Sequence, residues 1–381
     1  MAMKSKTRCL DLFSGIGGFA LALREVCKPV MFSESDPASV RVLEERFPGI
    51  PVSVDVRRLR AQEIRHAKPD MITAGFPCQD ISCLRVQKDA LGIHGERSKL
   101  FFELPRLLRQ VPTIKHVFLE NSPCIYDRGL DDVVKSLKQA GMTHFAYGVF
   151  SAESVGAVHS RRRWFCLATK APSKLPIMST SSLKRVLDNE WNSLDAYHRV
   201  VPRKDNAHAI AIKKRLSMLG NAVVPQCAAY AYHNLSTSLT TVNTEKSLAS
   251  RTTPVYKKTT MIIPEKGNLI FEVPRLQHEV LEQFRPPKNR DLGLRLQDNS
   301  GRCVKRRLWR TPTSRESSWN QARRMTDRAL WNLANMIYYE RNTHCASSSA
   351  SSFDVSDMSR WCIINPHYIE IMMGYPLGWT A

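Results

Sequence analysis

A chain of 381 residues with 43% apolar content can bury a sizeable core and has room for two or three domains. Its 56 Lys and Arg against 35 Asp and Glu give a net charge of +21, which points to a polyanionic partner, nucleic acid first, bound more weakly as salt rises. No apolar run is long enough for a membrane span, no signal segment follows Met1, and ten cysteines without a CxxC pair mark neither a zinc site nor a disulfide scaffold, so the expectation is a soluble intracellular protein with reduced thiols, no metal and no membrane contact.

Cys9 to Phe13 reads as a first strand and Phe19 to Val26 as a helix, joined through Ser14-Gly15-Ile16-Gly17-Gly18. Gly15, Gly17 and Ala20 satisfy G-x-G-x-x-G/A, and Glu34 lies about 20 residues on, after a second strand around Pro29 to Phe32. Glycines let the backbone approach a ligand and the acid suits ribose hydroxyls, so the turn fits a dinucleotide or an adenosyl cofactor equally well. Pro51 to Val56 gives a third strand, ending around Asp55. Met71 to Ala74 gives a fourth, broken by Gly75 and Pro77, so that Cys78 sits on a loop past a strand's carboxyl end. Ligands bind there in open α/β sheets, which makes Cys78 either a nucleophile or, like most single cysteines, a small core hydrophobe.

Gln79 to Lys99 is polar and irregular, in the manner of a lid, and Leu100 to Glu103 opens a helix. Further strands are His116 to Leu119, with Glu120-Asn121 at its end, Tyr147 to Ala152, and Trp164 to Ala168, preceded by His159-Ser160-Arg161-Arg162-Arg163. Strands alternating with helices predict an α/β fold, a mostly parallel sheet with helices on both faces. Cys78, Glu120 and the Arg161/Arg163 pair then stand at separate strand ends on one side. A thiolate, a carboxyl and guanidinium forks suit chemistry on a polarisable heterocycle.

Residues 173–183 and 236–260 are rich in Ser, Thr and Pro and read as linkers, with a helix from Pro225 to His233 between them. Residues 171–381 hold 30 Lys and Arg against 17 Asp and Glu, more than half of the surplus. Arg302 to Arg328 interleave with Trp309 and Trp319, and Ala346 to Ser352 is low-complexity.

With these residues the chain resembles the C5-cytosine DNA methyltransferases of phage, bacterial and viral type. Asp11-Leu12-Phe13-Ser14-Gly15-Ile16-Gly17-Gly18-Phe19 is similar to that family's first motif and Gly75-Phe76-Pro77-Cys78-Gln79 to its nucleophile motif. Glu120-Asn121 stands for its Glu-Asn-Val, His159 to Arg163 for its Gln/His-x-Arg-x-Arg, and Gly220-Asn221-Ala222-Val223-Val224-Pro225 for its last motif. The resemblance implies a Rossmann-like methyltransferase sheet and S-adenosylmethionine as cofactor. The methyl group would go to C5 of a cytosine flipped out of double-stranded DNA, through a covalent bond from Cys78 to C6. It further implies that Glu120 hydrogen-bonds N3 and the exocyclic amine, that Arg163 stabilises the O2 side, and that Arg161 orients it. Phe13, Gly15 and Gly17 would line the cofactor pocket, Glu34 hold the ribose and Asp55 the adenine amine, with Leu100, Asn221 and Val223 flanking the rest. Asp55 as a helix cap and Leu100 as plain core are the structural alternatives.

The match departs from the family in two places. Ser122 replaces the usual Val, and the interval from Lys170 to Ser217, where relatives place target recognition, is short. Ile364 to Pro376 instead resembles a segment that phage-type relatives carry before the last motif. The expected organisation is therefore a rearranged one: a catalytic domain over 1–240 with a short linker or insert at 171–205, a linker over 241–260, and a smaller basic DNA-recognition domain over 261–381. The enzyme is expected to be a monomer or weak dimer of restriction–modification type. A tRNA cytosine methyltransferase and a non-catalytic DNA-binding homologue are the competing readings.

Overall fold

The computed structural model describes residues 6–78, 80–81, 92–188, 191, 194, 200–202, 204–245, 260–262, 269–272 and 362–381. The basic stretch from Arg302 to Arg328, the low-complexity Ala346 to Ser352 and most of the expected recognition domain lie outside these residues. The described residues fall into two compact units, one of residues 1–189 with 223–310 and one of 190–222 with 311–381.

In the first unit, β1 (Thr7–Leu12), β2 (Cys27–Ser33), β3 (Val52–Ser53), β4 (Met71–Gly75), β5 (His116–Asn121), β6 (His144–Ser151) and β7 (Arg162–Thr169) form the centre of a sheet. Past β8 (Val200–Pro202) of the second unit, β9 (Thr260–Ile262) and β10 (Leu269–Glu272) complete it, in the nine-stranded order β3-β2-β1-β4-β5-β7-β6-β10-β9. The strands from β3 to β5 run parallel, and β1 leads to β2 on one side and touches β4 on the other. The order therefore reverses between β1 and β4, the kind of switch point at which open α/β sheets bind ligands.

β7 runs antiparallel to both of its neighbours, β5 and β6. Its amino-terminal end consequently lies at the same edge as the carboxyl ends of the parallel strands, and it brings Arg162 and Arg163 there. β10 pairs with β6 in parallel, so the chain after the second expected linker returns to the edge of the catalytic sheet.

Alternation along β5 explains the two layers around the sheet. Val117 and Leu119 face one core, shared with Leu104, Leu107 and Leu108 of α4 (Glu103–Gln110) and with Val133 and Leu137 of α6 (Leu130–Gln139). Phe118 faces the other way, its ring 5.3 Å from Phe19 of α1 (Gly18–Ala22) and 5.2 Å from Tyr232 of α9 (Pro225–Glu245). Between these elements come α2 (Pro37–Arg46), α3 (Ala61–Ala67) and α5 (Ile125–Arg128).

Parts of two segments read as linkers are helical. Thr180–Leu187 forms α7: Ser179 caps it by accepting from Ser182 N at 3.1 Å, and Met178, Leu183 and Val186 are buried. α9 continues twelve residues past His233, to Glu245. Leu235 and Leu239 bury one face, while Ser236, Thr237, Ser238 and Thr240 satisfy their hydroxyls on carbonyls of the preceding turn. Serine and threonine there serve as a cap and as back-bonded helix residues, a use that composition does not separate from a linker.

The second unit joins segments far apart in the chain. β11 (Cys362–Ile364) pairs antiparallel with β8, and α8 (Asn206–Asn221) packs on α10 (Pro366–Met372). Glu370 is fully buried. It accepts from Arg215 Nη2 at 2.9 Å, Gly378 N at 2.7 Å and Thr380 N at 2.8 Å. Glu370→Ala strands the Arg215 charge and two amides, and is expected to cost about 3–5 kcal/mol in this unit. Limited proteolysis reads the effect as faster release of the C-terminal segment from the variant.

Candidate active site

The shared sheet edge collects the sequence-predicted residues. Phe13 follows β1, Glu34 follows β2, Asp55 lies beyond β3, Cys78 beyond β4, Glu120 at the end of β5, and Arg163 at the start of β7. At the switch point the turn after β1 is tightly shaped. Phe13 itself adopts a positive φ of 55°, a conformation uncommon outside glycine and concentrated at functional sites. Gly17 has φ 85°, and a Cβ there would sit 2.5 Å from the Phe47 ring, so no other residue fits. Ser14 Oγ donates to Asp11 O at 2.7 Å and Ser14 N to Ser33 O at 3.0 Å, tying this turn to the end of β2.

Glu34 is oriented by three backbone amides: Gly15 N donates to Oε2 at 2.7 Å, and Ser35 N and Asp36 N each donate to Oε1 at 2.8 Å. A carboxylate held this way presents its remaining lone pairs in a fixed direction, as a ribose diol requires. Asp11, below the turn, accepts from Thr73 Oγ1 at 2.6 Å, and burial pushes its carboxyl up to about 8. Asp55 takes the cap position that stood as its structural alternative. It caps the 3₁₀ turn Val56–Arg58, accepting from Arg57 N at 3.0 Å, and pairs with the Arg57 fork at 2.9 and 3.0 Å. The hydrogen bonds from Arg57 hold its carboxyl below the usual range. Arg57 is exposed, so the pair can open toward another donor.

Cys78 is half-buried, and Glu120, Arg163 and Arg161 are near enough for their charges to act on it. Burial raises the thiol above its ordinary value, the Glu120 charge raises it further, and the two guanidinium groups pull it down. Glu120 Oε1 is 2.9 Å from Arg163 Nε, and burial holds the Glu120 carboxyl above the usual carboxylate range against the pull of Arg163 and Arg161. Arg161 is itself buried. The carboxyl is thus placed to carry a proton, and the arginines to stabilise negative charge on a neighbouring group.

A cradle lies between the two halves of the edge. A Cβ on Gly75 would stand 3.3 Å from Glu120 Oε2 and 3.7 Å from both Phe19 and Val223, so glycine keeps free a space bounded by the carboxyl and two apolar walls. Leu100, on the 3₁₀ helix Ser98–Phe102, packs against the main core, and Asn221 ends α8 in the second unit as an exposed residue.

Asn121 had no role in the sequence reading: its Nδ2 donates to Phe76 O at 3.1 Å and holds the strand end beside Cys78. Its signal was its adjacency to Glu120. Cys227, at the start of α9, lies within electrostatic reach of Arg163 and Glu120, but burial pushes its thiol up to about 12. Cys124 is disulfide-bonded. Among the described residues there is no group of three or more His, Cys, Asp or Glu that could hold a metal, and no helix long and apolar enough to cross a membrane.

The site is a glycine turn at the switch point of a Rossmann-like sheet, with a cysteine, a glutamate and an arginine pair at the same edge. The model of the C-5 cytosine-specific DNA methylase family matches residues 7–335, and the chain belongs to that family. It is 32% identical over 235 residues to the type II methyltransferase M.CviJI of Paramecium bursaria Chlorella virus IL3A, covering 60% of this chain and 59% of that one. It is also 32% identical over 170 residues to M2.BsuMI of Bacillus subtilis, covering 42% of each chain. With M.HhaI of Haemophilus parahaemolyticus the identity is 32% over 164 residues, covering 42% of this chain and 48% of that one. The matches thus span less than two thirds of these relatives' lengths.

Proposed function

We propose that the protein transfers a methyl group from S-adenosylmethionine to C5 of cytosine in double-stranded DNA. The observation that carries this reading is the grouping of Cys78, Glu120, Arg161 and Arg163 at one sheet edge beside the Gly75 cradle. Cytosine C5 is too weak a nucleophile to take a methyl group unaided. Addition of the Cys78 thiolate to C6 turns the ring into an enamine with electron density at C5. After methylation, loss of the C5 proton to a base and elimination of Cys78 from C6 restore the aromatic ring and the free thiolate. Glu120, whose carboxyl burial holds above the usual carboxylate range, hydrogen-bonds N3 and offsets the charge that develops there. Arg163 holds Glu120 and faces the O2 side, with Arg161 behind it. C6 is hidden in a stacked duplex, so the base enters the site flipped.

The residues present fit the cofactor. Glu34, fixed by three amides, suits the ribose diol, and Phe13, Gly15 and Gly17 form the turn that would hold the adenosyl group. Val223 closes the cradle from the other side, next to Gly75. Asp55 would meet the adenine amine once Arg57 gives up one oxygen, and Leu100 would flank the purine. When bound, S-adenosylmethionine supplies an electrophilic methyl group. Glu34→Ala is expected to weaken cofactor binding by about 10- to 100-fold, the range for a hydrogen bond to a charged group, with DNA affinity unchanged. Calorimetric titration of the cofactor measures it.

We assign sequence reading to the basic residues 261–381. The pairing of β11 with β8 supports this, because it returns the late segment to the interval where relatives carry recognition. A chain ending at residue 245 is expected to bind the cofactor and lose site-selective DNA binding in a gel-shift competition. Selective methylation by that truncated chain sinks the assignment. Conversion sequencing of DNA from cells expressing the protein tests the whole reading. Fully protected cytosines within one short sequence are the expected result, and methylated tRNA with unprotected DNA would favour the tRNA alternative.

A further inference from the structure

We propose that Asp80 and Ser98 form a clasp that fixes the peptide carrying the Cys78 thiol, which makes Asp80 a positioning residue for addition to C6. The proposal rests on the reading of Cys78 as the nucleophile. Three consecutive carbonyls around the thiol are each held. Phe76 O accepts from Asn121 Nδ2 at 3.1 Å, Pro77 O from Ser98 Oγ at 2.9 Å, and Cys78 O from Ile81 N at 3.1 Å. The first of these bonds comes from the Glu-Asn strand end. The second comes from across the loop, and Asp80 holds its donor in place.

Asp80 is 6% exposed and Ser98 fully buried, so the arrangement is an interior one. A carboxylate in such surroundings is costly unless it is hydrogen-bonded. Asp80 Oδ2 accepts from Arg97 N and Ser98 N, each at 3.1 Å, where the first amides of the 3₁₀ helix Ser98–Phe102 have no partner within the helix. Ser98 therefore donates at its amide to Asp80 and at its hydroxyl to Pro77 O, which ties Pro77 and Asp80 to the same turn of chain. The clasp is close-packed: a Cβ on Gly95 would stand 2.4 Å from Asp80 Cβ and Cγ. Residues 92–93 are seated just as tightly on the α5–α6 turn, since a Cβ on Gly92 would meet Arg128 O at 2.4 Å and one on Gly129 would meet Ile93 at 2.7 Å. One arm of the clasp is thus anchored to the body of the unit, and the other carries Cys78.

A nucleophile must approach C6 within a narrow range of distance and angle, and a misplacement of about 1 Å costs on the order of 100-fold in rate. Asp80→Ala removes the acceptor of both amides, Asp80→Asn keeps one carbonyl oxygen for them, and Ser98→Ala frees only the Pro77 carbonyl. The test is the single-turnover rate of covalent adduct formation on a duplex containing 5-fluorocytosine, with cofactor and DNA affinities and the thermal midpoint measured on the same proteins. Asp80→Ala is expected to slow adduct formation on the order of 100-fold with cofactor affinity unchanged, and Asp80→Asn to restore most of the rate. Ser98→Ala is expected to slow it about tenfold. If Asp80→Ala proves poorly folded, Ser98→Ala decides the matter. An adduct rate within about twofold of the native protein in folded Asp80→Ala, or failing that in Ser98→Ala, overturns the clasp alone. A native protein that forms no adduct overturns the nucleophile reading and the clasp with it.

Discussion

Cys78→Ala is expected to abolish the proposed methyl transfer, lowering kcat by at least about 10⁴-fold, the scale on which loss of a covalent nucleophile acts. Cofactor affinity should stay within about twofold, because the residues expected to hold the cofactor belong to other strand ends. The size of the effect follows from the substrate. Without addition at C6, C5 has no enamine to push electrons into the methyl group, and neither Glu120 nor Arg163 can substitute for a bond. Cys227 is within electrostatic reach of the same groups, yet it is buried and its thiol pushed up to about 12, so it supplies no alternative thiolate. A radiometric assay with duplex DNA measures the loss. Residual activity within about a hundredfold of the native enzyme is too much for this mechanism.

Glu120→Gln lowers kcat by about 10²- to 10³-fold, the usual size of a lost charge-stabilising donor, and also moves the titration of Cys78. The sign follows from the charges around the thiol. Burial and the Glu120 carboxylate raise the thiol, and Arg163 and Arg161 lower it. Removing the carboxylate charge leaves both guanidinium groups in place, so the midpoint for alkylation of Cys78 by iodoacetamide should move to lower pH. In the native protein that midpoint lies above the ordinary thiol range. Cys9, Cys27, Cys166 and Cys227 are buried, and mass spectrometry of the Cys78 peptide separates its alkylation from that of any other cysteine. An unchanged or higher midpoint in the variant contradicts the electrostatic account of the site.

The catalytic edge was legible in the sequence because its signals are local. A strand broken by Gly75 and Pro77, a glycine turn followed by an acid, and a strand ending in Glu120-Asn121 each declare themselves within a few residues. The direction of β7 is not local. Nothing in Arg162 to Thr169 distinguishes a parallel from an antiparallel strand, and yet only the antiparallel arrangement brings Arg163 to Glu120. The described parts of the two segments read as linkers, 180–183 and 236–245, are helical because Ser and Thr cap and line helices as readily as they populate loops, and Met178 and Leu239 are buried. Pairings across long separations were also out of reach. The Asp80 bonds to Arg97 and Ser98, and the β8–β11 ladder, join residues whose types are unremarkable one by one. Asp55 marks a boundary case: the sequence offered both a ligand and a cap, and the geometry exhibits the cap with Arg57 added.

The central claim is a bond between Cys78 and C6 of cytosine, and trapping that bond tests it most directly. The protein is incubated with S-adenosylmethionine and duplex DNA in which the methylated cytosine is replaced by 5-fluorocytosine, whose C5 fluorine blocks the final elimination. The account predicts a denaturation-stable complex whose peptide map carries the methylated fluoropyrimidine on Cys78 and on no other cysteine. Turnover of ordinary DNA without any such complex, or an adduct on a different residue, would contradict it.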